Sequence, residues 1–342
     1  LEDILARPER VIEIIKTELN DVRTKFGDAR RTELLVGEVL SLEDEDLIEE
    51  EEVVITLTNN GYIKRMANSE FRAQRRGGRG VQGMGVHDDD FVKNLVSCST
   101  HDTLLFFTNT GKVYRAKGYE IPEYGRTAKG IPVINLLGID SAEKIQAIIS
   151  VEGKAEAGKY LFFTTLKGTV KRTAVTAFSN IRSNGLIAIS LKEDDELVNV
   201  VTTNGNQKMI IGTHAGYSVT FDENTVRDMG RTASGVRGIR LRENDYVVGA
   251  AILDENKEVL VITENGYGKR TKASEYPVKG RGGKGIKTAN ITEKNGPLAG
   301  LTTVNGDEDI LLITNKGVII RFNVDSVSQT GRATLGVRLM RM

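Results

Sequence analysis

The chain has 342 residues, of which 39% are hydrophobic and 27% charged, and it contains no run of about 18 apolar residues. That is enough for two or three domains or one large repeat architecture, and it excludes an intrinsically disordered chain and a helical membrane span. The formal net charge of zero hides a division: residues 1–52 hold 17 acidic and 7 basic side chains, leaving 40 basic and 30 acidic from residue 53 onward. A neutral total is therefore no argument against a nucleic-acid partner.

The chain opens on Leu1 without an initiator Met or a signal peptide, and is expected to be a piece of a longer polypeptide. Cys98 is the single cysteine, so no intrachain disulfide forms and a reducing compartment is expected. Pro8 to Phe26 reads as a helix: Pro suits its first turn and Gly27 the position past its end. Ile12, Ile15, Leu19, Val22 and Phe26 recur in steps of three and four, an a/d seam. Its partner is either a helix outside this sequence or the body of the same chain. Thr32 to Leu42 holds a strand. Residues 43–52 then carry eight carboxylates in ten positions, which predicts an extended, solvated connector, or a segment that competes for the basic surface.

From Val53 the chain repeats. An apolar strand leads through a turn to a glycine, and four residues later usually to an arginine: Gly61 and Arg65, Gly111 and Arg115, Gly168 and Arg172, Gly266 and Arg270, Gly317 and Arg321. The fourth repeat has Gly216 but Thr220 in place of the arginine. Successive glycines are 50, 57, 48, 50 and 51 residues apart, a period that signals stacked supersecondary units. Turns such as Asn59-Asn60-Gly61 and Glu264-Asn265-Gly266 suit β-hairpins, and the flanking strands are rich in β-branched and aromatic residues. The recurring arginines either tie one repeat to the next or contact phosphate.

A second glycine follows each hairpin. Gly80, Gly130, Gly235, Gly285 and Gly336 lie 19 residues after the hairpin glycine, and Gly185 lies 17 after. Before each stands a corner with at least one arginine. The densest is Gln74-Arg75-Arg76-Gly77-Gly78-Arg79-Gly80, where three forked guanidinium groups sit on a backbone able to lie close to a polyanion. The cations of the other corners, Arg126, Lys129, Arg182, Arg231, Arg281, Lys284 and Arg332, together with Lys64 on the first hairpin, are candidate rim contacts.

Each of the first five repeats closes on another strand: 92–98, 145–151, 197–202, 246–252 and 298–304. The sixth stops at Met342 without one, so residues 34–40 are expected to supply it and close a ring without free edges. The body is all-β.

Other chemistries find no support. Gly280 to Gly285 and Gly78 to Gly83 match G-x-G-x-x-G, but a dinucleotide site needs a helix after the motif, and strands are expected there. His87, His101 and His214 are scattered, and Asp88-Asp89-Asp90 reads as a solvated turn, so no metal site is predicted. No nucleophile–base constellation stands out, and no catalytic residue is expected.

The heptad 74–80 resembles the gyrase A box, and the six repeats resemble the C-terminal DNA-wrapping domain of the bacterial gyrase A protein, a type IIA topoisomerase component. The helix and Phe26 to Thr32 resemble the end of the breakage–reunion core and its linker. The resemblance implies a six-bladed β-pinwheel over residues 34–342, preceded by a terminal helix and linker over 1–33, with blades that exchange strands. It implies a non-catalytic piece that binds, bends and chirally wraps double-stranded DNA. The implied partners are the rest of gyrase A, and gyrase B, in an A2B2 heterotetramer in the cytoplasm, which uses ATP and Mg. The cleaving tyrosine is expected outside this sequence, as is any membrane role. The alternatives are the A protein of topoisomerase IV, which usually lacks an intact box, and a protein-binding propeller, which the absence of Trp and of W-D repeats disfavours.

Overall fold

A computed structural model of the chain describes residues 2–28, 44–67, 90–125, 127–151, 158–314 and 319–341. The chain divides into two compact units, Leu1–Leu47 and Ile48–Met342. In the first, a short helix Glu2–Ala6 precedes the expected helix Pro8–Phe26, which begins on Pro8 and is closed by the Gly27 amide donating to the Arg23 carbonyl at 2.8 Å. Its apolar seam, from Val11 and Ile12 to Phe26, stays exposed. No helix among the described residues is long and apolar enough to cross a membrane.

The second unit is built from small antiparallel sheets. In the first repeat, Glu52–Thr58 and Tyr62–Ala67 form the hairpin, and Val92–Ser99 pairs with the first of these strands. The fourth strand comes from the next repeat: Ile131–Pro132, just after the corner Gly130, pairs with Tyr62 and Ile63. The pattern recurs. Leu186–Ile187, Val236–Arg237, Ile286–Lys287 and Val337–Arg338, each just after a corner glycine, complete the second to fifth sheets. Blades do exchange strands, and the strand is donated backwards, from each repeat to the one before it.

Five sheets are four-stranded, where six blades were expected. Asp309–Ile313 and Ile319–Asn323 of the sixth repeat form a two-stranded sheet among the described residues. The strands that would complete it, residues 34–40 and those after Gly80, lie outside the described residues.

The sheets are covered on both faces, which is why their first strands read as continuous apolar runs. Leu161, Phe162 and Phe163 are all fully buried. Phe163 meets Phe107 of the preceding sheet edge-to-face at 5.5 Å, and Phe162 meets Phe221 of the following one at 6.2 Å. Neighbouring blades therefore share cores. A repeated turn holds each hairpin: the hydroxyls of Thr58, Thr108, Thr165, Thr213 and Thr263 accept from the amide four residues on. The glycine between takes φ between +74° and +84°, open to glycine at little cost.

The acidic stretch is more ordered than its charge suggests. Asp44–Leu47 forms a single 3-10 turn. Thr100 Oγ1 accepts from the Glu51 amide and donates to the Glu49 carbonyl, both at 3.0 Å, which holds this segment beside the end of the third strand. Backbone pairing there outweighs repulsion among exposed carboxylates, which water screens.

Candidate nucleic-acid interface

The corners are brought side by side by the backward strand donation. The Ser190 amide reaches the Ala233 carbonyl (3.4 Å), the Gly282 amide the Gly238 carbonyl (2.6 Å), and the Asn290 amide the Thr334 carbonyl (3.1 Å). The stretches 181–190, 230–240, 280–290 and 331–340 thus form one continuous row, with at least one cation per repeat. Arg182, Arg281, Lys284 and, one repeat earlier, Lys129 are exposed, while Arg231 and Arg332 are half-buried. Arg281 donates from Nε to the Thr225 carbonyl (2.9 Å) and from Nη1 to the Arg237 carbonyl (3.1 Å), and Arg332 Nη1 donates to the Lys287 carbonyl (3.1 Å). Both arginines grip neighbouring backbone; Arg281 is exposed and leaves further N–H groups open to solvent, an arrangement suited to anion contact, whereas Arg332 Nε is buried. Gln74, Arg75, Arg76, Gly77, Gly78, Arg79, Gly80 and Arg126 lie outside the described residues.

Lys64 is not a rim residue. It is fully buried, and its ammonium donates to the Gly125 and Ala128 carbonyls at 3.2 and 3.0 Å. Two equivalents behave alike. Lys171 Nζ donates to the Ala188 and Arg231 carbonyls, and Lys269 Nζ to the Gly331 and Arg332 carbonyls and to Thr334 Oγ1. Burial, then the charge of Arg231, holds the Lys171 ammonium down to about 8, and burial is also the main cause that holds Lys269 down to about 8. Long stems place these groups under the corners, where an accessible phosphate does not reach.

The recurring arginine one residue on divides the same way. Arg65 Nε donates to the Ile121 carbonyl (3.2 Å), and Arg270 Nε to the Val327 carbonyl (2.8 Å). Arg172 Nη1 donates to Asn224 Oδ1 (3.1 Å) and lies 3.8 Å from Glu223. All three tie their blade to the short turn of the next repeat. Arg115 is exposed, and Arg321 pairs with Asp309 inside its own hairpin.

Sequence reasoning missed a second set of cations. Arg237, Lys287 and Arg338, each two residues after a corner glycine, are exposed on the donated strands. Extending the corner register by two residues would have found them. Arg237 and Arg281, with Lys167 and Lys192 from the third repeat, line an open cleft of about 580 Å³. Asp195 in this cleft is occupied locally, accepting from Thr165 Oγ1 and the Lys167 amide. Arg242 stacks on Tyr217 at 3.2 Å and donates to the Lys284 carbonyl. Among the described residues no group of three or more His, Cys, Asp or Glu is placed to hold a metal ion. Cys98 is buried, and burial pushes its thiol up to about 12, which makes it a poor nucleophile.

The family described as the DNA gyrase C-terminal domain, β-propeller, matches residues 52–99, 102–152, 159–204, 207–254, 257–305 and 308–342, one segment for each repeat. The DNA gyrase A protein of Streptococcus pyogenes is 70% identical over all 342 residues, which span 41% of that protein. Its counterpart in Streptococcus pneumoniae is 67% identical, again over the whole chain and 42% of its own length. A solved DNA gyrase A C-terminal domain superposes with a TM-score of 0.74 at 28% identity, covering 85% of this chain and 96% of that one. The C-terminal domain of a DNA topoisomerase IV gives a TM-score of 0.70 at 29% identity, covering 86% and 90%. With every repeat matched and the full length aligned to close relatives, this chain belongs to the DNA gyrase C-terminal domain family of β-propellers.

Proposed function

We propose that the chain binds, bends and wraps duplex DNA along its row of basic corners, as the C-terminal part of a gyrase A protein. The observation that carries this reading is the row itself: the corner stretches of the third to sixth repeats, each with a cation, in backbone contact with the next. Such a row neutralises phosphates without reading base edges. Bending 20–30 base pairs by 40–90° costs on the order of 1–6 kcal/mol, which several charge-assisted contacts and counterion release offset. A wrapped duplex would carry a distant segment to the cleavage core of the same enzyme, so that strand passage adds negative supercoils. Cleavage would belong to the rest of gyrase A, and ATP and Mg to the holoenzyme formed with gyrase B, an A2B2 assembly in the cytoplasm. The box at 74–80 would hold the duplex most firmly.

Plain duplex should bind the 342-residue chain with strong salt dependence, each phosphate-contacting arginine changed to Ala lowering the logarithmic salt slope by about 0.9. Binding indifferent to salt would sink the reading. On relaxed closed-circular DNA with a nicking–closing enzyme, the chain should shift the linking number in one direction. The likeness to a topoisomerase IV domain supports a second reading, bending without a chiral wrap, and an unshifted topoisomer distribution with intact binding would favour it. In the full enzyme, Arg75, Arg76 and Arg79 changed together to Ala should abolish ATP-driven supercoiling and spare relaxation.

A further inference from the structure

The third residue after each hairpin glycine is Lys64, Tyr114, Lys171, Val219, Lys269 and Ile320 in turn, so that lysine alternates with an uncharged residue. Core packing alone does not require the lysines, since Tyr114 and Val219 are buried at the same register. An ammonium in such a place is costly unless its protons are bonded. They are, and in all three cases at least one partner is a carbonyl of the arginine-bearing corner of the following repeat; Lys171 also donates to the Ala188 carbonyl of its own repeat, and Lys269 to Thr334 Oγ1. The corner that follows Tyr114 has no such donor beneath it. There Gly185 lies flat on the tyrosine ring, so close that a Cβ would come within 2.7 Å of it.

Carbonyl oxygens on the outer side of a corner would repel phosphate. An ammonium below a corner holds them inward, away from the outer side. We propose that Lys64, Lys171 and Lys269 are positioning residues for phosphate, each latching the corner of the following repeat with its carbonyls turned away from the DNA. This rests on the reading of the corners as the DNA-binding row. The latched corners are 125–130, 230–235 and 331–336. The corners 181–185 and 280–285 are not latched, so the grip on a duplex alternates between repeats. In both unlatched corners the arginine is exposed, and at 280–285 it is Arg281 itself that bonds to neighbouring carbonyls. Burial depresses the proton affinity of Lys171 and Lys269, and the carboxylates of Asp228 and Glu275 nearby offset this only in part.

The test is a double-mutant cycle on duplex binding by the 342-residue chain. Lys171→Met keeps the stem and removes the ammonium, and should weaken binding about tenfold, as the loss of one charge-assisted contact does. Arg231→Ala should weaken it similarly. The pair together should cost no more than either alone, whereas Lys171→Met with Arg182→Ala should be additive. Additivity of Lys171→Met with Arg231→Ala overturns the proposal, because a merely structural lysine would add to both arginines. Lys269→Met with Arg332→Ala repeats the cycle at an independent corner. The unsubstituted chain gives a further readout. The Ala233 and Thr334 amides close the same kind of turn as the Gly185 amide, and should exchange hydrogen at least about tenfold more slowly. Equal exchange counts against the latch even if every lysine variant fails to fold. A chain that binds no duplex at all sinks the function proposed above; one that binds with additive cycles sinks the latch alone.

Discussion

The junction between the third and fourth repeats and the junction between the second and third join the same parts by different physics. At the first, Lys171 and Arg172 enter the next repeat as charged hydrogen-bond donors, and Arg172 stacks over Tyr160 at 4.7 Å beside the fully buried Glu223. Glu223 is itself satisfied, accepting from Thr203 Oγ1 and the Gln207 amide. At the second, the Tyr114 ring lies beneath Gly185, its hydroxyl donates to Glu143 at 3.2 Å, and Arg115 points to solvent. The fifth-to-sixth junction follows the first kind, with Lys269 and Arg270 reaching the corner and turn of the sixth repeat. A single hairpin register thus accepts either a polar tie or a packed ring. The polar kind fixes backbone direction, because donors and acceptors must meet at set angles; the packed kind excludes water and sets only distance.

The largest expected effect separates the two arginines at this register. Arg270 is half-buried between Glu258 and Asp325, at 2.8 and 3.0 Å, and also binds the Val327 carbonyl. Arg270→Ala leaves Glu258 with Gln329 alone and removes the tie to the Val327 carbonyl, and should cost about 3 kcal/mol in urea denaturation. Arg115→Ala should cost no more than about 0.5 kcal/mol. Equal losses would abolish the distinction between junctions.

The corner glycines give a smaller contrast. A Cβ at Gly235 would sit 2.4 Å from the Val170 carbonyl oxygen, which is backbone and held in a sheet, whereas at Gly185 it would meet the side chain of Tyr114. Both glycines have positive φ. Gly185→Ala should cost about 1–2 kcal/mol from backbone strain and Gly235→Ala about 3 kcal/mol, read from the same denaturation curves.

The smallest effect is a pH dependence to which the lysines of the polar junctions contribute. Lys171 and Lys269 hold their protons less firmly when folded, near 8, than when unfolded, near 10.5. Between these values the unfolded chain binds more protons, so the two lysines make stability rise with pH from about 8 upward. Burial raises the Cys98 thiol and the hydroxyls of Tyr114, Tyr246 and Tyr276, so these groups act in the opposite sense, the one thiol from about 9 and the tyrosines above about 10, without cancelling the two lysines below pH 10. Denaturation midpoints should therefore climb from about pH 8 to about pH 10 in the parent chain and climb less in Lys171→Met/Lys269→Met. An unchanged slope would remove these lysines as its source.

Much of the architecture was legible because it repeats. The hairpin glycines, the corner glycines and the third strands kept their register through all the described repeats, and the strands 145–151 and 298–304 matched to the residue. The candidate interface was legible in its corners and misleading at Lys64. A lysine beside a turn reads as surface, and nothing local announces that carbonyls from a distant corner, 61 and 64 residues on, will surround it. The two-residue strands were too short to carry any periodicity. The cations on them, Arg237, Lys287 and Arg338, consequently escaped notice.

The sequence alone determined that the body is all-β, built from six similar units with an arginine-bearing glycine corner in each, because the spacing of turn glycines and apolar runs is a local property written six times. Which cations face outward was decided only by the tertiary structure. Backward strand donation sets each described corner over the hairpin of the preceding repeat, so the position three residues past that hairpin's glycine becomes interior, and a lysine there must direct its charge to carbonyls. The same fold leaves the corner arginines among the described residues half or fully exposed, and the line between a structural and a contacting cation follows that placement rather than the residue type.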